Sequence, residues 1–210
     1  MRVLIACEES GIVTSEFRKL GHEAYSCDVL PTSGGYPEWH IQGDVLPLLK
    51  EKWDMIIAFP PCTFMSRAGA RWMFKGGQLQ QDRLEKALKA KEFFMKIYNA
   101  DCPRIAIENP TPLKIVELPK ATQFIQPYEF GHPYSKKTLL WLKGLPKLQA
   151  TKVLSEYTSY LPSNCTGKKK GHKTQKGVAS SAAARSKTFQ GVAKAMAEQW
   201  TQEEFDCLPF

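Results

Sequence analysis

The sequence has no apolar run long enough to cross a membrane and no recognisable secretory segment. The run RVLIA, which begins at Arg2, is far shorter than the apolar region of a signal peptide. A membrane-spanning helix needs roughly 18 or more consecutive apolar residues, and no stretch of the sequence approaches that length. We therefore predict a cytoplasmic protein with no membrane partner.

Disulfide and metal frameworks are also missing from the sequence. Six cysteines, at positions 7, 27, 62, 102, 165 and 207, form no C-x-x-C pair and no regular pattern, which favours a reducing, intracellular environment. Four histidines, at positions 22, 40, 132 and 172, lack the spacing of metal ligands. We expect neither disulfides nor a metal site.

Length and charge give weaker indications. A chain of 210 residues is the size of one domain with a small appendage. Its 29 Lys and Arg residues exceed its 21 Asp and Glu residues, which gives a formal charge of +8. This excess favours a polyanionic partner such as nucleic acid, although many basic proteins have no such partner.

Strands and helices alternate through most of the chain. The segments RVLIAC, HEAYSCDV, WHIQGDV, WDMIIAF and RIAIENP predict strands, and VTSEFRKLG predicts a helix that ends at Gly21. Residues 81–98 predict the strongest helix, with Leu84, Leu88, Phe94 and Tyr98 on its apolar face. Alternation of this kind predicts an α/β fold with a mostly parallel sheet and helices on both faces.

The pattern changes after Trp141. Residues 150–187 contain a lysine-rich stretch from Lys168 to Lys176 among small polar residues, which predicts a basic insertion. The segment TFQGVAKAMAEQW then predicts a closing helix that packs beside the first strand. We divide the chain into a core of residues 1–149, an insertion of residues 150–187 and a returning segment of residues 188–210.

Polar residues follow several predicted strands and should share the carboxyl edge of the sheet. The turn CEESG contains only Gly11, so it is not a dinucleotide G-x-G-x-x-G motif, and Glu8 and Glu9 would repel a pyrophosphate. Asp28 and Asp44 could accept hydrogen bonds from a ribose or an adenine amine, or could simply form turns. A cofactor without phosphates, such as S-adenosylmethionine, fits this pattern best.

Cys62 follows two prolines at the end of the WDMIIAF strand. The prolines stiffen the turn, and a thiol at a strand-to-loop junction can act as a nucleophile, although a lone cysteine beside an apolar run is more often a small core residue. Glu108 ends another predicted strand and could exchange a proton with a substrate ring nitrogen, or could be an ordinary strand-end carboxylate. Asn109 and Pro110 would position its loop.

These segments together resemble the cytosine-C5 DNA methyltransferases. The stretch DMIIAFPPCTFMS resembles the motif with the catalytic cysteine, and PRIAIENP resembles the motif with the glutamate that binds the cytosine ring. The resemblance extends to LIACEESGIVTSEFRKLGHEAYSCD, QGDV, YSKKTLLWL and TFQGVAKAMAEQW, which covers most of the chain. It implies a Rossmann-like, S-adenosylmethionine-dependent methyltransferase fold and DNA as partner.

The resemblance also implies roles for individual residues. Cys62 would attack C6 of cytosine while Glu108 holds N3 and the exocyclic amine. The residues expected to contact S-adenosylmethionine are Cys7, Glu8, Ser10, Gly11, Asp28, Asp44 and Pro60, and those expected to contact the substrate are Ser66, Arg67, Asn109, Lys136 and Lys137. The segment from Phe64 to Leu79 would close over the site, with Trp72 and several cations available to nucleic acid.

The chain also departs from the family pattern. Residues Cys7 to Gly11 replace a glycine-rich loop, Thr63 follows the cysteine where the family has glutamine, and Pro110 follows Asn109 where it has valine. Lys136 and Lys137 stand where the family favours arginines. The recognition region is reduced to about forty residues, which is similar to short forms encoded by bacteriophages and implies the cytoplasm of a bacterial or phage-infected host cell. Two alternatives follow: modification of RNA or of a free pyrimidine nucleotide, and an inactive cofactor- or DNA-binding protein that interferes with host modification.

Overall fold

The structure is a computed structural model that describes residues 1–160 and 186–202. The predicted lysine-rich stretch from Lys168 to Lys176 lies outside the described residues. In chain order the elements are β1 (Arg2–Ala6), α1 (Ile12–Lys19), β2 (Glu23–Asp28), β3 (His40–Gln42), β4 (Met55–Ala58), α2 (Ala70–Met73), β5 (Phe74–Lys75), β6 (Gln78–Leu79), α3 (Gln81–Tyr98), β7 (Ile105–Asn109), β8 (Gln123–Ile125), β9 (Tyr134–Ser135), β10 (Thr138–Lys143), β11 (Thr158–Ser159) and α4 (Gln190–Trp200).

A seven-stranded sheet forms the centre of the fold, in the order β3-β2-β1-β4-β7-β10-β8. The first five strands of this order are parallel, whereas β10 pairs antiparallel with both β7 and β8. The chain moves outward in one direction from β1 to β3 and in the other from β4 to β7. This order creates a topological switch point between β1 and β4, where open α/β sheets bind ligands.

Helices cover both faces of the sheet. On one face, α1 and α4 lie against each other and bury Phe17, Met196 and Trp200 in the same apolar cluster as Val3 and Ile5 of β1. On the other face, α3 contributes Phe94 and Ile97 to a cluster with strand residues such as Leu4 and Ile56. The fold is therefore Rossmann-like α/β with helices on both faces, and the closing helix shares an apolar cluster with the first strand.

Helix α3 has the predicted bounds, but its apolar face is rotated slightly from the predicted one. Leu88 is 46% exposed, whereas Ala87, Phe94 and Ile97 are buried. The face that meets the sheet therefore follows Leu84, Ala87 and Phe94. Leu88 is adjacent to Ala87 in the chain, and a step of one residue turns a side chain by about 100°, which places Leu88 off the buried stripe.

Two small sheets lie outside the main sheet. Strands β5 and β6 form an antiparallel hairpin that closes at Gly76 and Gly77, within the segment predicted to cover the site. Strands β9 and β11 pair in parallel near the start of the predicted insertion. No helix in the described ranges is long and apolar enough to cross a membrane.

Candidate active site and cofactor cavity

The carboxyl ends of the parallel strands bring the predicted site residues to one edge of the sheet. Cys7 follows β1, Asp28 ends β2, Cys62 lies four residues beyond the end of β4, and Glu108 is the penultimate residue of β7. Because β4 and β7 are hydrogen-bonded neighbours, their ends place the Cys62 turn beside Glu108. The Cys62 pKa responds to the charge of Glu108, which is consistent with this proximity.

The Cys62 turn is fastened to the segment that follows β7. The side-chain amide of Asn109 donates a hydrogen bond from Nδ2 to the Pro60 carbonyl at 3.1 Å. The backbone N–H of Arg67 donates to the Thr111 carbonyl at 2.9 Å, and that of Leu113 donates to the Met65 carbonyl at 2.7 Å. The two loops therefore form one connected unit, which fixes Cys62 relative to Glu108.

Asn109 lies inside this unit. Its side chain is 1% exposed, and Oδ1 has no hydrogen-bond donor among the described residues. Ser66 is also buried and forms an isolated β-bridge with Pro112, whereas Arg67 is exposed. Of these three residues predicted to contact the substrate, the structure exposes only Arg67. The burial of Asn109 and Ser66 points instead to support of the turn.

Cys62 is partly exposed, and its pKa is raised by burial and by the charge of Glu108. Lys136 acts in the opposite direction, because its ammonium favours the thiolate. Glu108 and Lys136 therefore shift the Cys62 pKa in opposite directions. Whether the thiol ionises depends on how many negative charges its neighbours carry.

Glu108 is partly buried beside β10, in register with Leu140 of that strand. Burial raises the pKa of its carboxyl, while Lys136 and a hydrogen bond with Thr138 lower it. A small cavity next to Glu108 is also lined by Lys136, Thr138 and Phe189. Burial and the two neighbouring residues therefore act on the pKa of this carboxyl in opposite directions.

The two adjacent lysines that precede β10 differ in their surroundings. Lys136 faces Glu108 and lies 5.9 Å from the centre of the Phe189 ring, and its backbone N–H donates to Gln126 at 2.9 Å. Lys137 is exposed, and its ammonium lies 4.8 Å from the centre of the Phe124 ring. The structure thus brings Lys136, but not Lys137, to Glu108.

A cavity of about 400 Å³ opens at the switch point of the sheet. Asp28 and Asp44 provide its carboxylates, and its apolar lining includes Val45, Pro61 and Phe93. One oxygen of each aspartate accepts a local backbone N–H, from Leu30 at 2.9 Å and from Leu46 at 3.0 Å, as in the turn-forming alternative. The aspartates therefore form turns and line the cavity at the same time.

Cys7 also lines this cavity and has a left-handed backbone conformation, with φ of 59°. Burial raises the pKa of its thiol to about 12, and the charge of Asp28 adds to the shift. Cys27, on the neighbouring strand, has a pKa of about 11 for the same reasons. Both side chains are therefore neutral thiols at physiological pH, which suits an apolar contact and not a nucleophile.

Glu8, in the turn after β1, forms its hydrogen bonds within the protein. The buried carboxylate of Glu8 accepts hydrogen bonds from the backbone N–H groups of Val13 and Thr14, at 2.7 and 3.2 Å, and from the Thr14 hydroxyl at 2.7 Å. Burial raises its pKa, and these three donors act against that shift. Glu8 thus caps helix α1 and occupies the position where a helix N-terminus would bind a phosphate.

Ser10, Gly11 and Pro60 do not line the cavity. The Ser10 hydroxyl lies 3.5 Å from the Glu8 carboxylate, and Gly11 is the N-cap of α1 with φ of 65°, a conformation that glycine adopts without strain. Pro60 is buried and accepts the Asn109 amide, whereas the next residue, Pro61, lines the cavity. Direct cofactor contacts by Glu8, Ser10, Gly11 and Pro60 stay predictions.

The sequence pattern did not predict that α3 contributes to the cavity and to the Cys62 turn. Phe93 and Ala90 line the cavity at the switch point, and Arg83 donates from Nη2 to the carbonyl of Thr63, the residue after Cys62, at 3.0 Å. The helical periodicity contains the signal for Ala90 and Phe93, which lie three residues apart on one face. No local pattern indicates the Arg83 contact.

In the described part of the chain, no cluster of three or more His, Cys, Asp or Glu residues could hold a metal ion.

Replacing Glu8 by alanine should destabilise the protein by about 2 kcal/mol, because two helix N–H groups and a buried hydroxyl lose their acceptor. The melting temperature should fall by about 4–8 °C. Glu8→Gln, which keeps one acceptor oxygen, should lower the melting temperature less. Glu9→Ala is the matched control, since Glu9 accepts hydrogen bonds from Ser33 and Thr32 through its backbone carbonyl. Equal melting temperatures for Glu8→Ala and Glu9→Ala would contradict the capping role.

Similarity to known proteins is found among solved structures, and not among family models or curated proteins. No family model and no curated protein matches this chain. Among solved structures, a protein described as a DNA modification methyltransferase encoded within a prophage of E. coli is similar with a TM-score of 0.47 and 12% identity, over 73% of this chain and 52% of that one. A triple mutant of DNMT2 from Spodoptera frugiperda is similar with a TM-score of 0.35 and 15% identity, over 77% of this chain and 55% of that one. The chain spans about half the length of these structures.

Proposed function

We propose that this protein is an S-adenosylmethionine-dependent methyltransferase that modifies C5 of cytosine in DNA through a covalent bond between Cys62 and C6. One observation carries the proposal. Cys62 and Glu108 lie at the ends of adjacent strands, their loops are joined by the Asn109–Pro60 hydrogen bond, and Glu108 and Lys136 both act on the Cys62 pKa. A nucleophile and a carboxyl that can carry a proton are the two groups that this reaction requires.

The cavity residues fit the proposed cofactor. Asp28 and Asp44 offer carboxylates for ribose hydroxyls and an adenine amine, while Val45 and Phe93 offer apolar surface for the adenine ring. Glu8 accepts the backbone N–H groups at the start of α1, which makes those donors unavailable to a phosphate. S-adenosylmethionine has the required nucleoside, carries positive charge and has no phosphate. When bound, it supplies an electrophilic methyl group.

The protein side of the reaction depends on the charges of Cys62 and Glu108. Ionised Glu108 raises the Cys62 pKa and keeps the thiol protonated, whereas protonated Glu108 removes this effect. With the proton on Glu108, the Cys62 thiolate forms a bond to C6, the ring electrons move toward N3, and Glu108 gives N3 its proton. Carbon 5 thereby becomes nucleophilic. After methylation, the C5 proton leaves to solvent, its electron pair forms the C5–C6 double bond as the C6–S bond breaks and Cys62 departs as thiolate, and N3 returns its proton to Glu108.

The other nearby residues support this sequence of steps. Lys136 favours the anionic form of both Cys62 and Glu108, so it stabilises the charge that moves between them. We assign Asn109 and Ser66 to positioning of the Cys62 turn, in place of the predicted substrate contacts, because both are buried. Arg67 and Lys137 are exposed and available to DNA phosphates. A base in duplex DNA would have to leave the helix to reach Cys62, which costs a few kcal/mol.

The function is tested by offering DNA, RNA and free cytidine nucleotides in parallel, each with S-adenosylmethionine labelled in its methyl group. We expect label in DNA, recovered as 5-methyldeoxycytidine by mass spectrometry of the nucleosides. Label found only in RNA or only in the free nucleotide would show that this molecule, and not DNA, is the substrate. Cofactor binding without label in any substrate would favour the alternative of an inactive binding protein.

Asp28→Asn should weaken binding of S-adenosylhomocysteine by about tenfold or more. The amide keeps the oxygen that accepts the Leu30 N–H, but it loses the negative charge, and a hydrogen bond to a charged group contributes about 1.5–3 kcal/mol. Titration calorimetry measures the change. Asp54→Asn is the control, because Asp54 precedes β4, at the opposite edge of the sheet, and accepts the backbone N–H of Arg2. Unchanged affinity in Asp28→Asn would show that the cofactor does not bind in this cavity.

A further inference from the structure

A second pocket, of about 480 Å³, lies beside the Cys62 turn and shares no lining residue with the cofactor cavity. It is formed by the segment from Phe64 through the β5–β6 hairpin and by the first turns of α3, as far as Lys86. We call it the hairpin pocket. The mechanism proposed above gives it no role.

The hairpin pocket is strongly basic. Arg71, Lys75, Arg83 and Lys86 line it, against the single carboxylate of Asp82. Three of these cations also lie over aromatic rings: Arg71 is 4.9 Å from the centre of the Trp72 ring, and Arg83 and Lys86 are 5.0 and 5.8 Å from that of Phe64. A concave surface with this excess of cations favours an anionic ligand.

The aromatic residues indicate which kind of anion the hairpin pocket binds. Trp72 is 56% exposed, although a tryptophan is normally among the more deeply buried residues. Exposed aromatic rings interleaved with cations are the feature by which proteins bind unpaired nucleotides, with the base stacked on the ring and the phosphate near the cations. In a duplex the faces of a base are already covered by its neighbours, so Trp72 can stack only on an unpaired base.

The hairpin pocket is connected to the nucleophile. Arg83 lines it and donates from Nη2 to the Thr63 carbonyl at 3.0 Å, one residue after Cys62. Its Nε is buried and has no acceptor among the described residues, so this guanidinium has a donor that its protein neighbours leave unused. A nucleotide held in the hairpin pocket would therefore lie within a short reach of a base at Cys62.

We propose that the hairpin pocket binds an unpaired nucleotide of the strand that carries the target base, and that single-stranded DNA is the preferred substrate. This inference rests on the proposed function for the choice of DNA. The base stacks on Trp72, and its phosphate lies among Arg71, Lys75 and Lys86. The pocket volume is within the range of sites that hold ligands of nucleotide size.

Binding of a fluorescent oligothymidylate of roughly twelve nucleotides tests the pocket without the methyl-transfer reaction, because the oligonucleotide contains no cytosine. We expect Trp72→Ala to weaken binding about tenfold. Lys75→Gln with Lys86→Gln should make binding less dependent on salt. Tyr36→Ala is the control, since Tyr36 is 51% exposed, is stacked on Trp39 and does not line the hairpin pocket. A duplex of the same length should bind more weakly than the single strand.

The outcomes separate this inference from the proposed function. If Trp72→Ala and the double lysine variant bind the oligothymidylate as wild type does, or if the duplex binds equally well, the inference is wrong even when DNA methylation is observed. If no substrate is methylated but oligothymidylate binding depends on Trp72, the pocket assignment holds and the proposed reaction fails.

Discussion

Glu108→Gln is expected to lower methyl transfer by about 100-fold or more while making Cys62 more reactive toward iodoacetamide. Loss of a residue that exchanges a proton with the substrate costs about 10²–10⁴-fold in rate. Glutamine can still hydrogen-bond the cytosine edge, so KM should change much less than kcat. Two opposite effects from one substitution distinguish a catalytic carboxyl from a residue that only maintains the fold.

The direction of the thiol effect follows from the charges. Ionised Glu108 raises the Cys62 pKa, and glutamine is neutral, so the Cys62 pKa should fall in the variant. The pH at which alkylation reaches half of its maximal rate should therefore move downward. Glu117→Gln is the control, because Glu117 is exposed and lies in the loop before β8. An unchanged or upward shift of the alkylation curve in Glu108→Gln would contradict the coupling of the two groups.

Gly191→Ala is expected to destabilise the protein by about 3 kcal/mol, although the same change in an exposed helix normally stabilises by up to about 1 kcal/mol. A Cβ at this position would lie 2.0 Å from the Phe130 carbonyl oxygen and 3.0 Å from Nε2 of His132. His132 also accepts the Gly191 N–H at 2.8 Å, so a shift of the helix would lose this hydrogen bond.

Thermal unfolding measures the effect of Gly191→Ala, and a fall in melting temperature of about 6–12 °C is expected. Gly35→Ala is the matched control, because a Cβ at Gly35 meets no atom within 4 Å. A rise in melting temperature in Gly191→Ala would show that α4 does not approach Phe130 as closely as described. Activity should fall with stability, since Val192 and Met196 of α4 line the small cavity beside Glu108.

Much of the fold follows from local pattern. The apolar strands β1, β4 and β7 and the period of α3 determine a parallel sheet with covered faces, and the ends of those strands place Cys62 and Glu108 together. The apolar face of α3 was harder to predict, because Leu88 and Ala87 are both apolar and only packing against the sheet selects Ala87. Periodicity identifies the helix better than the exact residues that it buries.

The site was less predictable than the fold, because its hydrogen bonds join residues that are distant in sequence. Glu8 was expected to repel phosphate and to contact a cofactor; its oxygens cap α1, which local sequence does not indicate, and the cofactor contact stays a prediction. Asn109 was expected both to position its loop and to contact the substrate, and its amide reaches a carbonyl 49 residues earlier, as a positioning role requires. A polar side chain that follows a strand can face a ligand or a neighbouring turn, and only the packed structure distinguishes the two.

Covalent trapping on DNA that contains 5-fluorocytosine tests the proposed mechanism most directly. Fluorine at C5 cannot be lost as a cation, so the bond between Cys62 and C6 should persist after methyl transfer. We expect wild type to form a denaturation-resistant protein–DNA adduct only when S-adenosylmethionine is present, and Cys62→Ala to form none and to methylate no DNA. A Cys62→Ala protein that methylates cytosine at the wild-type rate would contradict the account.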